Sequence, residues 1–371
     1  MDRRREMAGR NWCLNCFQIK GNYEVCPHCG YMENAEPENL YQLKPGTILR
    51  GRYIIGASIG LGGFGITYKA YDVTLGMVVA VKEFYPAGLV NRAEGEKKVG
   101  VFSGEKAETY EKWKKRFLEE AQNMAIFARD RDIVNEYDFF EENGTAYIIM
   151  EFIHGRLLKE QLRETGKFPL ETACGYMMSI LNALKRIHEN GIIHRDISPD
   201  NIFLLENGRV KIFDFGAAYF QRGVEEQLPS LIVKAGYAPP EQYRTKGQVG
   251  TELDIYGAGA VFYEMVTGEK PIESLNRMMG EKLKTPTELG IEMDPVIEGV
   301  MLKALSLQPE DRFHSGEEFE KAMLKETEME ESVSAGEEAG KTAMKETVSA
   351  GEDSGKPERE KRLPFWRRKR S

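Results

Sequence analysis

The residues with the clearest chemical potential lie between His194 and Gly216 of this 371-residue chain. The first part reads His194-Arg195-Asp196-Ile197-Ser198-Pro199-Asp200-Asn201, and the last reads Lys211-Ile212-Phe213-Asp214-Phe215-Gly216. An apolar, strand-like piece separates them, so the pattern predicts two polar loops flanking a short hairpin. Carboxylates and one amide are set on those loops. One acidic side chain can accept a hydroxyl proton, while an Asp and an Asn can hold Mg²⁺ against nucleotide phosphates, as phosphoryl transfer requires. Either half alone also fits a polar turn between buried strands, because Asp and Asn are common turn residues. Both halves in order, roughly a dozen residues apart, favour the chemical reading.

Other elements must position such loops and supply a clamp for phosphates. Gly60-Leu61-Gly62-Gly63-Phe64-Gly65 stands between two strand patterns, Tyr53 to Ile59 and Ile66 to Ala70. No helix follows the glycines, against a dinucleotide-binding turn, and no Lys-Ser/Thr follows, against a Walker loop. A strand–glycine–strand hairpin can instead close bare backbone over phosphates. In Val78-Val79-Ala80-Val81-Lys82 the alternation puts Ala80 and Lys82 on one face. Residues 85 to about 112 are polar and rich in Gly, Lys and Glu, which predicts a mobile insertion. Trp113, Phe117, Met124 and Phe127 then mark one helix face. Glu120 falls on that face, where an unpaired carboxylate would be costly, and the adjacent Glu119 leaves the choice open by one residue. Tyr147 to Met150 reads as a buried strand, Glu151 to Gly155 as a polar turn, and Ala173 to His188 as an amphipathic helix leading into the first loop.

Taken together, these motifs resemble those of the eukaryotic-like serine/threonine protein kinases of bacteria, in the subset with an N-terminal zinc ribbon. The resemblance spans roughly residues 48–322. It implies an α+β, two-lobed protein-kinase fold: a kinase domain over 48–325, with a β-rich N-lobe (48–150), a hinge (151–155) and a helical C-lobe (156–325). It implies γ-phosphoryl transfer from Mg-ATP, with Mn²⁺ as an alternative metal, to Ser or Thr hydroxyls of proteins and to the chain itself. Asp196 matches the base, Asn201 and Asp214 the metal ligands, Lys82 the phosphate-binding lysine and Glu120 its helix partner. Gly60, Gly62, Gly63 and Gly65 match the loop over the phosphates. Thr67 replaces the usual Val against the base, Ala80 and Met150 border the nucleotide, and backbone groups of Glu151 to Ile153 would hydrogen-bond the adenine. Asp254 matches the residue that braces the catalytic loop, and Arg312 the partner of Glu241.

Two positions depart from the family. Ser198 stands where a lysine usually touches the transferred phosphate, and Lys234 stands where a threonine usually bonds that lysine. The two changes look reciprocal: an ammonium arriving from the activation segment could sit near Asp196, with Ser198 completing the contacts, or Lys234 could point to solvent. Arg195 is placed to pair with a phosphate on that segment, where Ser230 is the one Ser or Thr between Gly216 and Glu241. A pseudokinase scaffold and a small-molecule kinase are the rival readings; retention of Lys82, Asp196, Asn201 and Asp214 weighs against the first, and the extended activation segment against the second.

Cysteines organise the N-terminus. Cys13-Leu14-Asn15-Cys16 and Cys26-Pro27-His28-Cys29 match a closed tetrahedral Zn²⁺ site, in which a turn wraps each pair of thiolates. Such a ribbon (1–30) has little core of its own, so a linker over 31–47 predicts a module that stands or falls with its metal; its docking partner is not legible. Paired cysteines in a reducing cytosol are metal ligands more often than disulfides. The net charge of −8 argues against a nucleic-acid binder. No apolar run reaches the length of a membrane span, which leaves a cytoplasmic protein. Residues 326–371 are rich in Glu, Lys, Ser, Ala and Gly and predict disorder. They end in a basic cluster around Phe365 and Trp366, suited to an anionic membrane surface and equally to a solvated tail.

Overall fold

The computed structural model describes residues 12–32, 39–63, 65–216, 218–220, 233–244 and 250–324. Ser230 and the tail over 326–371 lie outside them. The chain divides into two compact units between His154 and Gly155, within the stretch read as the hinge.

The first unit is built on a six-stranded antiparallel sheet. Its strands are β1 (Ile48–Leu49), β2 (Tyr53–Leu61), β3 (Gly65–Asp72) and β4 (Met77–Phe84). After the two-residue strands β5 (Val90–Asn91) and β6 (Gly100–Val101) come β7 (Glu136–Glu142) and β8 (Thr145–Glu151), in spatial order 1-2-3-4-8-7. β3 alternates half-buried and buried residues, as a strand with one core face should. β4 is buried on both faces over Val79 to Val81, because helix α1 (Glu105–Met124) lies on the unit's other side with Tyr110 and Phe117 against Phe84. Gly65 is required for packing: a Cβ there would meet the Glu83 carbonyl at 2.4 Å.

Two expectations are corrected here. The stretch from 85 onward is no mobile insertion. Arg92 is buried beside Glu83, whose carboxylate also accepts the Tyr68 and Tyr147 hydroxyls at 2.9 and 2.8 Å. Val90 and Val99 join the core, and α1 begins at Glu105, earlier than its Trp113–Phe127 stripe suggested. Nor does the cysteine module stand apart. Leu43, from the stretch read as linker, is buried in the same core, and Tyr41 stacks on Tyr85. Leu14 carbonyl accepts the Ala57 amide at 3.2 Å, and Phe17 packs on Tyr71. A side chain at position 56 would put Cβ 2.2 Å from that Leu14 carbonyl, so Gly56 is what lets the module sit on β2.

The second unit is mainly helical. It opens with β9 (Gly155–Leu157), α2 (Leu158–Thr165) and α3 (Leu170–Glu189), and continues through β10 (Ile192–Ile193), β11 (Ile202–Leu205), β12 (Val210–Ile212) and β13 (Tyr219–Phe220). α4 (Glu252–Thr267), α5 (Ser274–Met278) and α6 (Pro295–Ala304) follow, and a further helical run covers residues 316–324. α4 is buried nearly all round; such a helix is a core element, apolar on every face rather than on one stripe. β11 pairs antiparallel with both β12 and β9, and this small sheet carries the loop pair. No helix among the described residues is long and apolar enough to cross a membrane.

Candidate active site

Asp254, at the start of α4, sets the first loop. Its carboxylate accepts the His194 and Arg195 amides at 2.8 and 2.7 Å, and the His188 ring sits at 2.8 Å from the same group. Burial works against that charge, but the His188 side chain and the His194 amide hold the carboxyl below its ordinary range. Arg195 is thereby held at φ 66°, and Asp214 in the second loop at φ 64°. Left-handed backbone at two non-glycine residues is held only where the surroundings over-determine it, and such positions cluster at functional sites. His194 is fully buried: its Nδ1 accepts the Asp196 amide at 3.3 Å, which leaves Nε2–H to donate to the Phe213 carbonyl at 3.1 Å. The Phe215 ring lies 4.6 Å from the His194 ring, so the two loops are keyed together through one imidazole.

Asp196 is oriented by Asn201, whose Nδ2 donates to the Asp196 carbonyl at 2.9 Å and to its Oδ2 at 2.8 Å. Both bonds use the amide nitrogen, so Asn201 has its carbonyl oxygen for a cation. Burial pushes the Asp196 carboxyl above its ordinary range; the neighbouring Lys234 ammonium and Asn201 amide act the other way without cancelling it. Asp214 is exposed, its Oδ1 3.4 Å from the Gly216 amide. Lys234 Nζ lies 2.9 Å from Asp196 Oδ2 and 3.0 Å from the buried Ser198 hydroxyl. Structure thus brings Asp196, Ser198, Asn201 and Lys234 into one cluster.

In the first unit, Lys82 Nζ is 3.9 Å from Glu120 Oε1. Glu119 instead faces solvent and pairs with Lys115 at 3.4 Å. Ala80 and Met150 are directly paired on β4 and β8, and Thr67 is opposite Lys82 on β3. Gly60 and Gly62 lie at the β2–β3 turn, where the Gly62 amide donates to the Gly65 carbonyl at 2.9 Å, and the Gly63 carbonyl accepts the Ala87 amide at 3.1 Å. Glu151 and Ile153 fall at the end of β8 and just beyond it.

The four cysteine sulfurs all lie within 4.8 Å of one another. Cys13 and Cys29 are 3.6 Å apart, and Cys16 and Cys26 are 3.7 Å apart. Sulfurs at about 2.3 Å from a tetrahedral zinc would be separated by about 3.8 Å, so the donor set fits that ion. The two halves are built alike: Phe17 amide to Cys13 carbonyl at 2.9 Å is matched by Gly30 to Cys26 at 2.8 Å, with Phe17 and Gly30 both at positive φ. His28 is not in the cluster; its ring contacts the Ile19 carbonyl at 3.1 Å.

Two supports escaped the sequence. His188 holds Asp254, and Gln242 Nε2 donates to the Arg195 carbonyl at 2.8 Å. Neither has a local signature, since each partner is distant in the chain.

Comparisons with known proteins agree on one fold. The family model described as protein kinase domain matches residues 53–326. A probable serine/threonine-protein kinase of Corynebacterium efficiens is 33% identical over 292 residues, covering 73% of this chain and 41% of that protein. One from Clostridium acetobutylicum is 32% identical, covering 74% and 40%, and the serine/threonine-protein kinase PknB of Mycobacterium leprae is 31% identical, covering 75% and 43%. The chain therefore spans about two fifths of the length of these relatives. Among solved structures, PpkA-294 in its apo form is similar with a TM-score of 0.66 and 29% identity, over 76% of this chain and 99% of that one.

Proposed function

This chain belongs to the protein kinase family, among relatives named as bacterial serine/threonine kinases, and from that premise we propose that it moves the γ-phosphoryl group of Mg-ATP onto Ser and Thr hydroxyls of proteins, itself included. The observation that carries the reading is the Asp196–Asn201 arrangement: a carboxylate oriented by two bonds from one amide, on a loop suspended from Asp254. Asp196 orients the incoming hydroxyl and takes its proton; burial raises its carboxyl above the ordinary range, which makes it a better proton acceptor than an exposed carboxylate. Asn201 and Asp214 hold the metal, which when bound neutralises charge on the phosphate oxygens. Lys82, braced by Glu120, binds the α- and β-phosphates, and the Gly60–Gly65 turn covers them. Cys13, Cys16, Cys26 and Cys29 hold a structural Zn²⁺, and their thiols fit the reducing cytosol. A scaffold without transfer activity remains the competing reading because of Ser198. Radiolabelled ATP separates the two: the wild-type chain labels itself and an added basic protein, and Asp196→Ala does not. Equal labelling by both would end the assignment of Asp196.

A further inference from the structure

We propose that Lys234 is a catalytic residue, which brings from the activation segment the positive charge that this chain lacks at Ser198 on its catalytic loop. The inference rests on the kinase reading above. Lys234 Nζ is 2.9 Å from Asp196 Oδ2, 3.0 Å from Ser198 Oγ and 3.9 Å from Asp200 Oδ2. Ser198 is fully buried, and its short side chain leaves the ammonium within reach of Asp196. A lysine with a free choice of rotamers has considerable entropy to lose by being held there. The backbone that carries it is a fixed mount. The Lys234 carbonyl accepts the Tyr237 and Ala238 amides at 3.1 and 3.2 Å. Beyond it, the segment is tied by Tyr237 to Glu264, by Gln242 to the Arg195 carbonyl, by Ser274 to the Ala238 carbonyl and by Arg312 to Glu241.

Those ties also argue against a merely structural role. A partly exposed ion pair is a weak fastener, and a segment fixed at several other points does not need one. A cation next to the base is, however, well placed for the chemistry. During transfer the substrate hydroxyl oxygen forms a bond to the γ-phosphorus, and the bond from that phosphorus to the bridging oxygen breaks. ADP leaves with the electron pair and the hydroxyl proton passes to Asp196. The Lys234 ammonium offsets the negative charge spread over the phosphoryl oxygens, an electrostatic contribution that needs no reorganisation if the side chain is already in position.

A double-mutant cycle on the full chain tests this, with kcat and KM for ATP measured against one protein substrate. Lys234→Thr and, as an independent removal of charge, Lys234→Met are each expected to lower kcat on the order of 10²-fold, with KM for ATP little changed. Adding Ser198→Lys to Lys234→Thr, which returns the charge on the catalytic loop, is expected to recover at least about tenfold. A structural loss would not be recovered by a lysine on a different element, so the rescue is informative even where Lys234→Thr is destabilised. Wild-type kcat in Lys234→Met would overturn the inference, as would single losses that multiply in the double variant; both leave the kinase reading standing. A wild-type chain no faster than Asp196→Ala would overturn that reading, and this inference with it.

Discussion

At the scale of single residues, buried charges do most of the positioning, and each has an identifiable counterweight. Arg312 has a fully buried side chain that makes a two-pronged contact with Glu241 at 2.6 and 3.0 Å and donates to the carbonyls of Ser306, Glu252 and Leu307. Removing one partner of such a pair leaves an uncompensated charge, so Glu241→Ala is expected to cost about 3–5 kcal/mol in denaturant unfolding. Replacing both partners by apolar residues should cost less than that; a Glu241→Ala variant with wild-type stability would show that Arg312 finds other compensation. Asp254 gives a pH-dependent case. Its folded-state carboxyl lies below the ordinary range, so its contribution is present above the unfolded pKa of about 3.9 and is lost as pH falls through the folded value. The stability gap between wild type and Asp254→Asn should therefore be full at pH 7, roughly 1.5–3 kcal/mol for each charge-assisted bond lost, and should close below about pH 4. A gap independent of pH would assign the loss to packing. The Asp254 brace and the Glu241–Arg312 pair were legible because each of these residues lies in a dense local motif. His188 and Gln242 were not, because their roles depend on residues brought near only by folding.

At the scale of elements, alternation and helical periodicity located strands and helices well where one face is apolar. They failed where a polar stretch is held by a buried polar group. Glu83 follows Lys82 and shares the register of Val79 and Val81 on β4, so an unpaired carboxylate there would be expensive. That cost was the available sign that a cation had to come from elsewhere. Arg92 provides it, and the Tyr68 and Tyr147 hydroxyls fill the remaining acceptor positions. The residues between β4 and α1 are therefore packed onto the sheet, despite a composition typical of a loop. Arg92 also donates to the Tyr41 carbonyl at 2.8 Å, and the Leu43 amide to the Tyr68 hydroxyl at 3.0 Å. One buried network thus fastens the segment after β4 and the chain before β1 to the same strands. Glycines carry a related lesson. Gly56 and Gly65 look alike in sequence, yet the first admits the Leu14 carbonyl and the second the Glu83 carbonyl.

At the scale of the whole molecule, the cysteine module and the glycine-bearing hairpin belong to the first unit, and the Asp196 cluster belongs to the second. A metal lost from the four sulfurs should therefore be felt in one unit and not the other. Zinc sites of this type supply about 10–16 kcal/mol of folding free energy in peptides with little core of their own, so a metal-free module is expected to unfold. The Leu14 carbonyl then no longer accepts the Ala57 amide, and Tyr71 loses the Phe17 and Trp12 rings. β2 and β3 keep their own ladder, which predicts loosening of the hairpin rather than collapse of the sheet. Hydrogen exchange on the full chain, comparing wild type with Cys26→Ser/Cys29→Ser, reads this directly. The variant should bind no zinc, the Ala57 amide should lose protection along with residues 12–32, and the buried α4 amides should exchange as before. Unchanged protection at Ala57 would mean that the contact with β2 does not depend on the metal. Protection lost equally in α4 would mean that the metal supports the entire chain, and a variant still holding one zinc per chain would remove the four-cysteine assignment.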